Sequence, residues 1–355
     1  MNSYNWLGLL FLGAVLISCG NGAPGTSSDF SLILPEDKTE YQLGETLQVN
    51  LENRKNKEFD SIVYYLHEKR LGSTHQGEAF EYQLEGEKLG NWKLSARIYL
   101  GNTEEISSKN IRIYNNQAPV SYTYKVIATY PHLTDAYTQG LEFYNDTLYE
   151  STGQYGESSL RRVDLQTGKV LDIVRLDDEY FGEGMTILDN KIYQLTWREG
   201  EGFIYDLASL ERVGSFAYDQ SEEGWGLAND GQRIFKSDGT EKIWILNPQN
   251  LGEESYIQTL THRTVATQLN ELEWVEGKIY ANTYQKDGVA IINPENGAVE
   301  GLINFQGLRD QLGNVDDLDP INDVLNGIAY NPNTGKLYVT GKKWDTLFEV
   351  EVVER

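Results

Sequence analysis

Among the ionisable residues of this chain, Glu183 has the neighbours that best suit proton transfer. It lies in Phe181-Gly182-Glu183-Gly184-Met185-Thr186-Ile187, a lone carboxylate on a loop that runs into an apolar strand. Four other stretches repeat the frame with a different residue in its place: Gln139-Gly140-Leu141, Trp225-Gly226-Leu227, Asn270-Glu271-Leu272 and Asn326-Gly327-Ile328. A purely structural position would tend to keep one residue type. Five hydrogen-bonding and mostly different side chains on a constant frame point instead to a ligand site, rather than to a solvated polar ring. Trp197 and Lys342 stand at the ends of second strands, with Phe181 and Trp274 close to the varied positions. Aromatic walls around one carboxylate, one lysine and amide side chains suit the binding of a small polar group. Burial against the rings would raise the pKa of Glu183 towards neutrality, as proton shuttling requires. Lys342, framed by Gly341 and Trp344, is suited to stabilising a developing oxyanion.

These residues need elements that bring them together. Each frame is followed by a turn and a second strand: Thr147-Leu148-Tyr149-Glu150, Lys191-Ile192-Tyr193-Gln194, Arg233-Ile234-Phe235-Lys236, Lys278-Ile279-Tyr280-Ala281 and Lys336-Leu337-Tyr338-Val339. The varied positions 139, 183, 225, 270 and 326 are separated by 44, 42, 45 and 56 residues, a period that suits a four-stranded propeller blade. Third strands follow at Ser159–Asp164, Gly202–Asp206, Lys242–Leu246, Val289–Asn293 and Leu347–Val350. The expected fold of residues 120–355 is therefore a five-bladed β-propeller. Tyr124–Tyr130 is available as the missing fourth strand of the last unit, which would close the ring and protect its edges. In that architecture the five varied positions converge at one end of a central channel.

The 355 residues are enough for two domains. With 23 Tyr, 7 Trp and 34 Gly against 8 Pro, the composition favours β-structure with tight turns. Residues 30–115 carry six short apolar-alternating runs separated by polar turns, between Phe30–Leu34 and Ile111–Tyr114, which read as a small immunoglobulin-like β-sandwich. It shows no clustered chemistry and reads as a spacer or docking module. A formal charge of −24 repels phosphate backbones and excludes nucleic acid as a partner, while it attracts cationic ligands such as a peptide amino terminus. One cysteine excludes an internal disulfide, and the four histidines show no paired ligand spacing, so a His/Cys zinc site is not expected.

Leu7–Ile17 is an apolar run of signal-peptide length, followed by Leu16-Ile17-Ser18-Cys19. This resembles the bacterial lipobox and implies lipidation at Cys19 after residues 1–19 have acted as a lipoprotein signal. Residues 20–29 would then tether the protein to a membrane of the cell envelope, periplasmic or outer, and the lipid would be its sole membrane contact.

The repeats also carry a family resemblance. Tyr137-Thr138-Gln139-Gly140-Leu141, Tyr149-Glu150-Ser151-Thr152-Gly153-Gln154-Tyr155-Gly156, Ser158-Ser159-Leu160-Arg161, Phe181-Gly182-Glu183-Gly184, Glu223-Gly224-Trp225-Gly226-Leu227, Leu269-Asn270-Glu271-Leu272-Glu273-Trp274, Leu325-Asn326-Gly327-Ile328-Ala329 and Thr340-Gly341-Lys342 resemble the glutamine cyclotransferases of plants and bacteria. The resemblance spans residues 120–355, and Tyr137 departs from it by standing where the family usually has Phe. It implies conversion of an amino-terminal Gln of peptides or proteins to pyroglutamate, with release of ammonia and no required cofactor; the protein is expected to be a monomer. It further implies that Glu183, Lys342 and Asn270 are catalytic and that Gln139, Phe181, Trp197, Trp225, Trp274 and Asn326 bind the substrate. The family also admits a structural calcium ion. Asp316, Asp317, Asp319 and Asp323 are oxygen donors, although they read more readily as a solvated acidic loop. Two other readings compete: a non-catalytic propeller that binds peptides or glycans, and a calcium-dependent lactonase-like propeller. Intact Glu183, Asn270 and Lys342 argue against the first, and the single carboxylate among the varied positions argues against the second.

Overall fold

The computed structural model describes residues 29–75 and 78–355; the Cys19 lipobox and the apolar run before it lie outside them. The fold is all-β. Helical structure among the described residues is confined to three 3-10 turns, at Pro35–Asp37, Arg309–Gln311 and Val315–Asp317.

Two sheets form the amino-terminal part. One holds Phe30–Ile33, Thr46–Asn53 and Phe80–Gln83, the other Glu40–Gln42, Thr103–Tyr114, Gly90–Leu100, Ser61–Leu66 and Lys69–Thr74. Alternation explains their packing. Ser61–Leu66 buries Ile62, Tyr64 and Leu66 on one face, and these meet Leu47, Val49 and Leu94 in one core. Glu40–Gln42 and Lys69–Thr74 were not legible in the sequence because they are short or largely polar edge strands. Leu260 and Ala298, far along the chain, complete this core, and Trp92 stacks on Tyr256 with ring centroids 6.3 Å apart.

From Val120 onward the strands follow the repeats. Three four-stranded antiparallel sheets run in chain order: Thr138–Tyr144 to Val170–Arg175, Gly182–Leu188 to Arg212–Ala217, and Leu227–Asn229 to Glu253–Gln258. A further eight-stranded sheet contains two such four-stranded runs, which begin at Leu269–Val275 and Leu325–Asn331. Val120–Pro131 joins them, pairing antiparallel with Thr346–Glu354 and parallel with Val299–Asn304. The expected fourth strand of the last unit is therefore supplied from the start of the region. Two-residue hairpins at Asn145-Asp146 and Asp189-Asn190 have positive φ at both positions, as a type I′ turn requires and as Asn and Asp tolerate.

The first strands of the sheets pack side by side, and their glycines permit the approach. A Cβ on Gly184 would come within 2.5 Å of Gly226 Cα, and one on Gly226 within 2.1 Å of Asn270 O. Side-chain direction at the ends of these strands is set by irregular pairing. The register shifts between Thr138 and Gly140, Gly182 and Met185, Leu269 and Leu272, and Leu325 and Ile328. Gln139, Glu183, Asn270 and Asn326 all fall inside these shifts, where an extra residue re-aims a side chain out of the strand's alternation.

Candidate active site

Seven of the nine residues expected in the site line one cleft of about 230 Å³: Gln139, Phe181, Glu183, Trp197, Trp225, Asn270 and Lys342. Tyr137, Gln154, Tyr284 and Asn322 line it as well. Phe181 forms the centre of one wall, with Trp197 at 5.5 Å and Tyr137 at 6.1 Å between ring centroids. Trp225 and Tyr284, 5.7 Å apart and nearly perpendicular, form another part of the lining.

The polar floor is ordered by a chain of hydrogen bonds. Asn326 Nδ2 donates to Gln139 Oε1 at 3.0 Å and to Thr138 O at 2.9 Å. Gln139 Nε2, oriented in this way, donates to Glu183 Oε1 at 3.0 Å. The second carboxylate oxygen, Glu183 Oε2, is buried and has no partner among the described residues, and neither has Asn270 Oδ1. Buried polar atoms are nearly always paired, so two free acceptors at one cleft mark a place for a donor from outside the protein. Burial raises Glu183 well above the ordinary carboxylate range; Lys342 opposes the rise, and Glu223 and Glu199 add to it. Burial also pushes the Lys342 ammonium down to about 8, against the attraction of Glu183 and Asp323. The Lys342 Nζ stands 4.7 Å from the Tyr137 ring centroid and 5.0 Å from that of Tyr284, so two aromatic faces hold the cation over the cleft.

Two expected site residues lie elsewhere. Asn326 sits behind Gln139 and orients it, without lining the cleft. Trp274 corrects the expectation that it walls the pocket. It is four residues beyond Asn270 on Leu269–Val275, which at the rise of a strand carries it roughly 13 Å away. It stacks on Phe235 at 5.7 Å with the rings almost parallel, and lines a separate cavity with Glu142, Glu273 and Tyr330.

Two carboxylates of the acidic connection are engaged with their own loop. Asp319 Oδ1 accepts from the Ile321 amide and Asp323 Oδ2 from the Asp319 amide, so both carboxylates cap their own loop. Among the described residues, no three or more His, Cys, Asp or Glu side chains are arranged to hold a metal ion. Two buried carboxylates, Glu271 and Glu273, and the half-buried Glu142 lie along Leu269–Val275 and Thr138–Tyr144. Glu142, Glu271 and Glu273 accept from the amides of Ile187, Ile328 and Tyr330 on neighbouring strands, and burial raises all three. Glu142 ties two successive sheets, Glu271 and Glu273 tie the two end strands of the eight-stranded sheet, and all three are absent from the cleft lining.

Sequence reasoning passed over Tyr284, Gln154 and Asn322, and also Glu223, whose Oε2 accepts both indole N–H groups of Trp197 and Trp225 at 2.8 Å. Only Gln154 and Glu223 had a signal, since both fall inside stretches that carry the family resemblance. Tyr284 and Asn322 come from connections outside the repeated frame.

A family model described as glutamine cyclotransferase matches residues 96–352. The chain belongs to the glutamine cyclotransferase family. A relative from Arabidopsis thaliana, glutaminyl-peptide cyclotransferase, is 42% identical over 230 residues, which is 64% of this chain and 71% of that protein. The crystal structure of Myxococcus xanthus glutaminyl cyclase superposes with a TM-score of 0.62 at 32% identity, over 67% of this chain and 99% of the other. The glutamine cyclotransferase match begins within Gly90–Leu100, in the amino-terminal sheets, and extends to the last strand.

Proposed function

We propose that this chain is a glutaminyl-peptide cyclotransferase, which converts the amino-terminal Gln of peptides or proteins to pyroglutamate and releases ammonia. The observation that carries the catalytic reading is the pairing state of Glu183: one oxygen is fixed by Gln139, and the other is buried with no partner among the described residues. In the reaction the substrate's α-amine attacks its own side-chain carboxamide carbon and a carbon–nitrogen bond forms. Glu183 Oε2 takes a proton from the attacking nitrogen and returns it to the carboxamide nitrogen. The old carbon–nitrogen bond then breaks and ammonia leaves. Lys342 faces the carboxamide oxygen as it gains charge, and Asn270 Oδ1 accepts a substrate N–H. The aromatic walls hold the flexible Gln side chain folded back on its own amine, so much of the rate enhancement comes from conformation in an intramolecular closure. No organic cofactor takes part.

We further read the five strand runs as the blades of a five-bladed β-propeller spanning residues 120–355, with the eight-stranded sheet counted as two blades. Residues 30–115 are read as an immunoglobulin-like accessory module. Residues 1–19 are read as a lipoprotein signal and 20–29 as a tether, so that the monomeric enzyme is held in the bacterial cell envelope by lipid on Cys19.

The test of the reaction is ammonia release from a Gln-initiated peptide. Wild-type protein is expected to release it, and Glu183→Gln to do so more slowly by a factor on the order of a hundred or more. No release by the wild type would leave a non-catalytic ligand-binding protein, and undiminished release by the variant would remove Glu183 from the mechanism.

A further inference from the structure

Trp197 and Trp225 come from different sheets, and one carboxylate joins them. Glu223 Oε2 accepts from both indole Nε1 atoms at 2.8 Å, and neither indole N–H has another partner among the described residues. The other oxygen, Oε1, accepts from Arg198 Nε at 2.8 Å, and the Arg198 guanidinium lies over the Trp197 ring at 3.7 Å from its centroid.

The loop that carries Glu223 is itself pinned. Glu253 Oε2 accepts the amides of Gln220 at 2.6 Å and Ser221 at 2.9 Å. Lys236 Nζ donates to Glu253 Oε1 at 3.1 Å, to the Glu223 carbonyl at 3.1 Å and to the Ser221 hydroxyl. The Lys236 and Glu253 side chains are almost fully buried, at 0% and 1% exposure. Burying an ion pair costs desolvation of both charges, so its value here is better sought in the geometry it fixes than in stability. On the far side, the Gly224 amide donates to Trp197 O at 2.9 Å, and a Cβ on Gly224 would come within 2.3 Å of the Tyr218 hydroxyl. The backbone on both sides of Glu223 therefore has little room to shift.

We infer that Glu223 is a positioning residue, which sets the separation of the Trp197 and Trp225 walls and with it the width of the slot that receives the Gln side chain. The inference rests on the cyclotransferase reading of the cleft. Glu223 does not touch the reacting atoms; it acts through the two indoles.

Three variants test it in the full chain: Glu223→Ala, Glu223→Gln and Trp225→Phe. Glu223→Ala is expected to raise KM for a Gln-initiated peptide about ten-fold while kcat changes by less than about three-fold. It is also expected to weaken the tryptophan bands of the near-ultraviolet circular dichroism. Glu223→Gln keeps an oxygen that can accept both N–H groups, so it should recover most of the KM and the bands. Trp225→Phe removes one donor and keeps a ring; it should raise KM in the same direction and serves as the reading if Glu223→Ala does not fold. An unchanged KM and unchanged bands in Glu223→Ala would overturn the inference, as would a Gln variant as impaired as the Ala variant. If the wild type releases no ammonia, the cyclotransferase reading fails, and the dichroism of the Ala and Gln variants decides the clamp on its own.

Discussion

Gln139 Nε2 donates to Glu183 Oε1 at 3.0 Å, joining the leading positions of two successive sheets 44 residues apart. The bond settles which carboxylate oxygen remains free, and Asn326 settles the orientation of the bond by holding Gln139 Oε1. Asn326→Ala removes that hold without touching the cleft lining. It is expected to lower kcat by roughly ten-fold with a smaller change in KM, because misplacement of a catalytic group costs rate more than binding. Steady-state ammonia release checks this, and a kcat equal to that of the wild type would show that Gln139 orients itself.

Two opposed shifts shape the pH dependence. Glu183, raised by burial, must be ionised to accept a proton, so the rate should rise with pH through a value above the ordinary carboxylate range. Lys342, pushed down to about 8 by burial, must be charged to hold an oxyanion, so the rate should fall as pH passes that value. In Lys342→Met the charge that favours ionised Glu183 is gone. The rising limb should move to higher pH and the falling limb should vanish. The substrate's own amine gives a limb common to both enzymes, so the difference between the two kcat profiles is the informative quantity. A rising limb that stays in place would break the proposed coupling of Lys342 to Glu183.

Trp274 and Trp225 should separate cleanly. Trp274 stacks on Phe235 away from the cleft, so Trp274→Ala is expected to cost about 2 kcal/mol of stability and leave kcat/KM nearly unchanged. Trp225→Ala, in the cleft lining, should lower kcat/KM by at least about ten-fold. Denaturant melts and peptide kinetics on both variants read the two effects; a large kinetic loss in Trp274→Ala would return that ring to the site.

The envelope assignment depends on one side chain. Cys19→Ser abolishes the thiol that would carry lipid, so the variant should leave the membrane fraction while purified protein keeps its ammonia-releasing activity. Retention of the variant in washed membranes would refute the lipid anchor.

The order of strands and the convergence of Gln139, Glu183, Trp225 and Asn270 were legible in the sequence, because a repeated frame returns equivalent residues to equivalent places in successive sheets. Alternation likewise marked most of the amino-terminal strands. Tertiary structure decided what alternation and spacing cannot express. Register shifts aim Gln139, Glu183, Asn270 and Asn326, and a shift depends on how one strand pairs with another. Asn326 and Trp274 had the right residue types but lie behind the cleft and away from it. Tyr284, Asn322 and Glu223 reach the site from loops whose paths are fixed only by packing. The raised pKa of Glu183 followed from its surroundings: a sequence can place rings near a carboxylate, but only the folded chain removes the water.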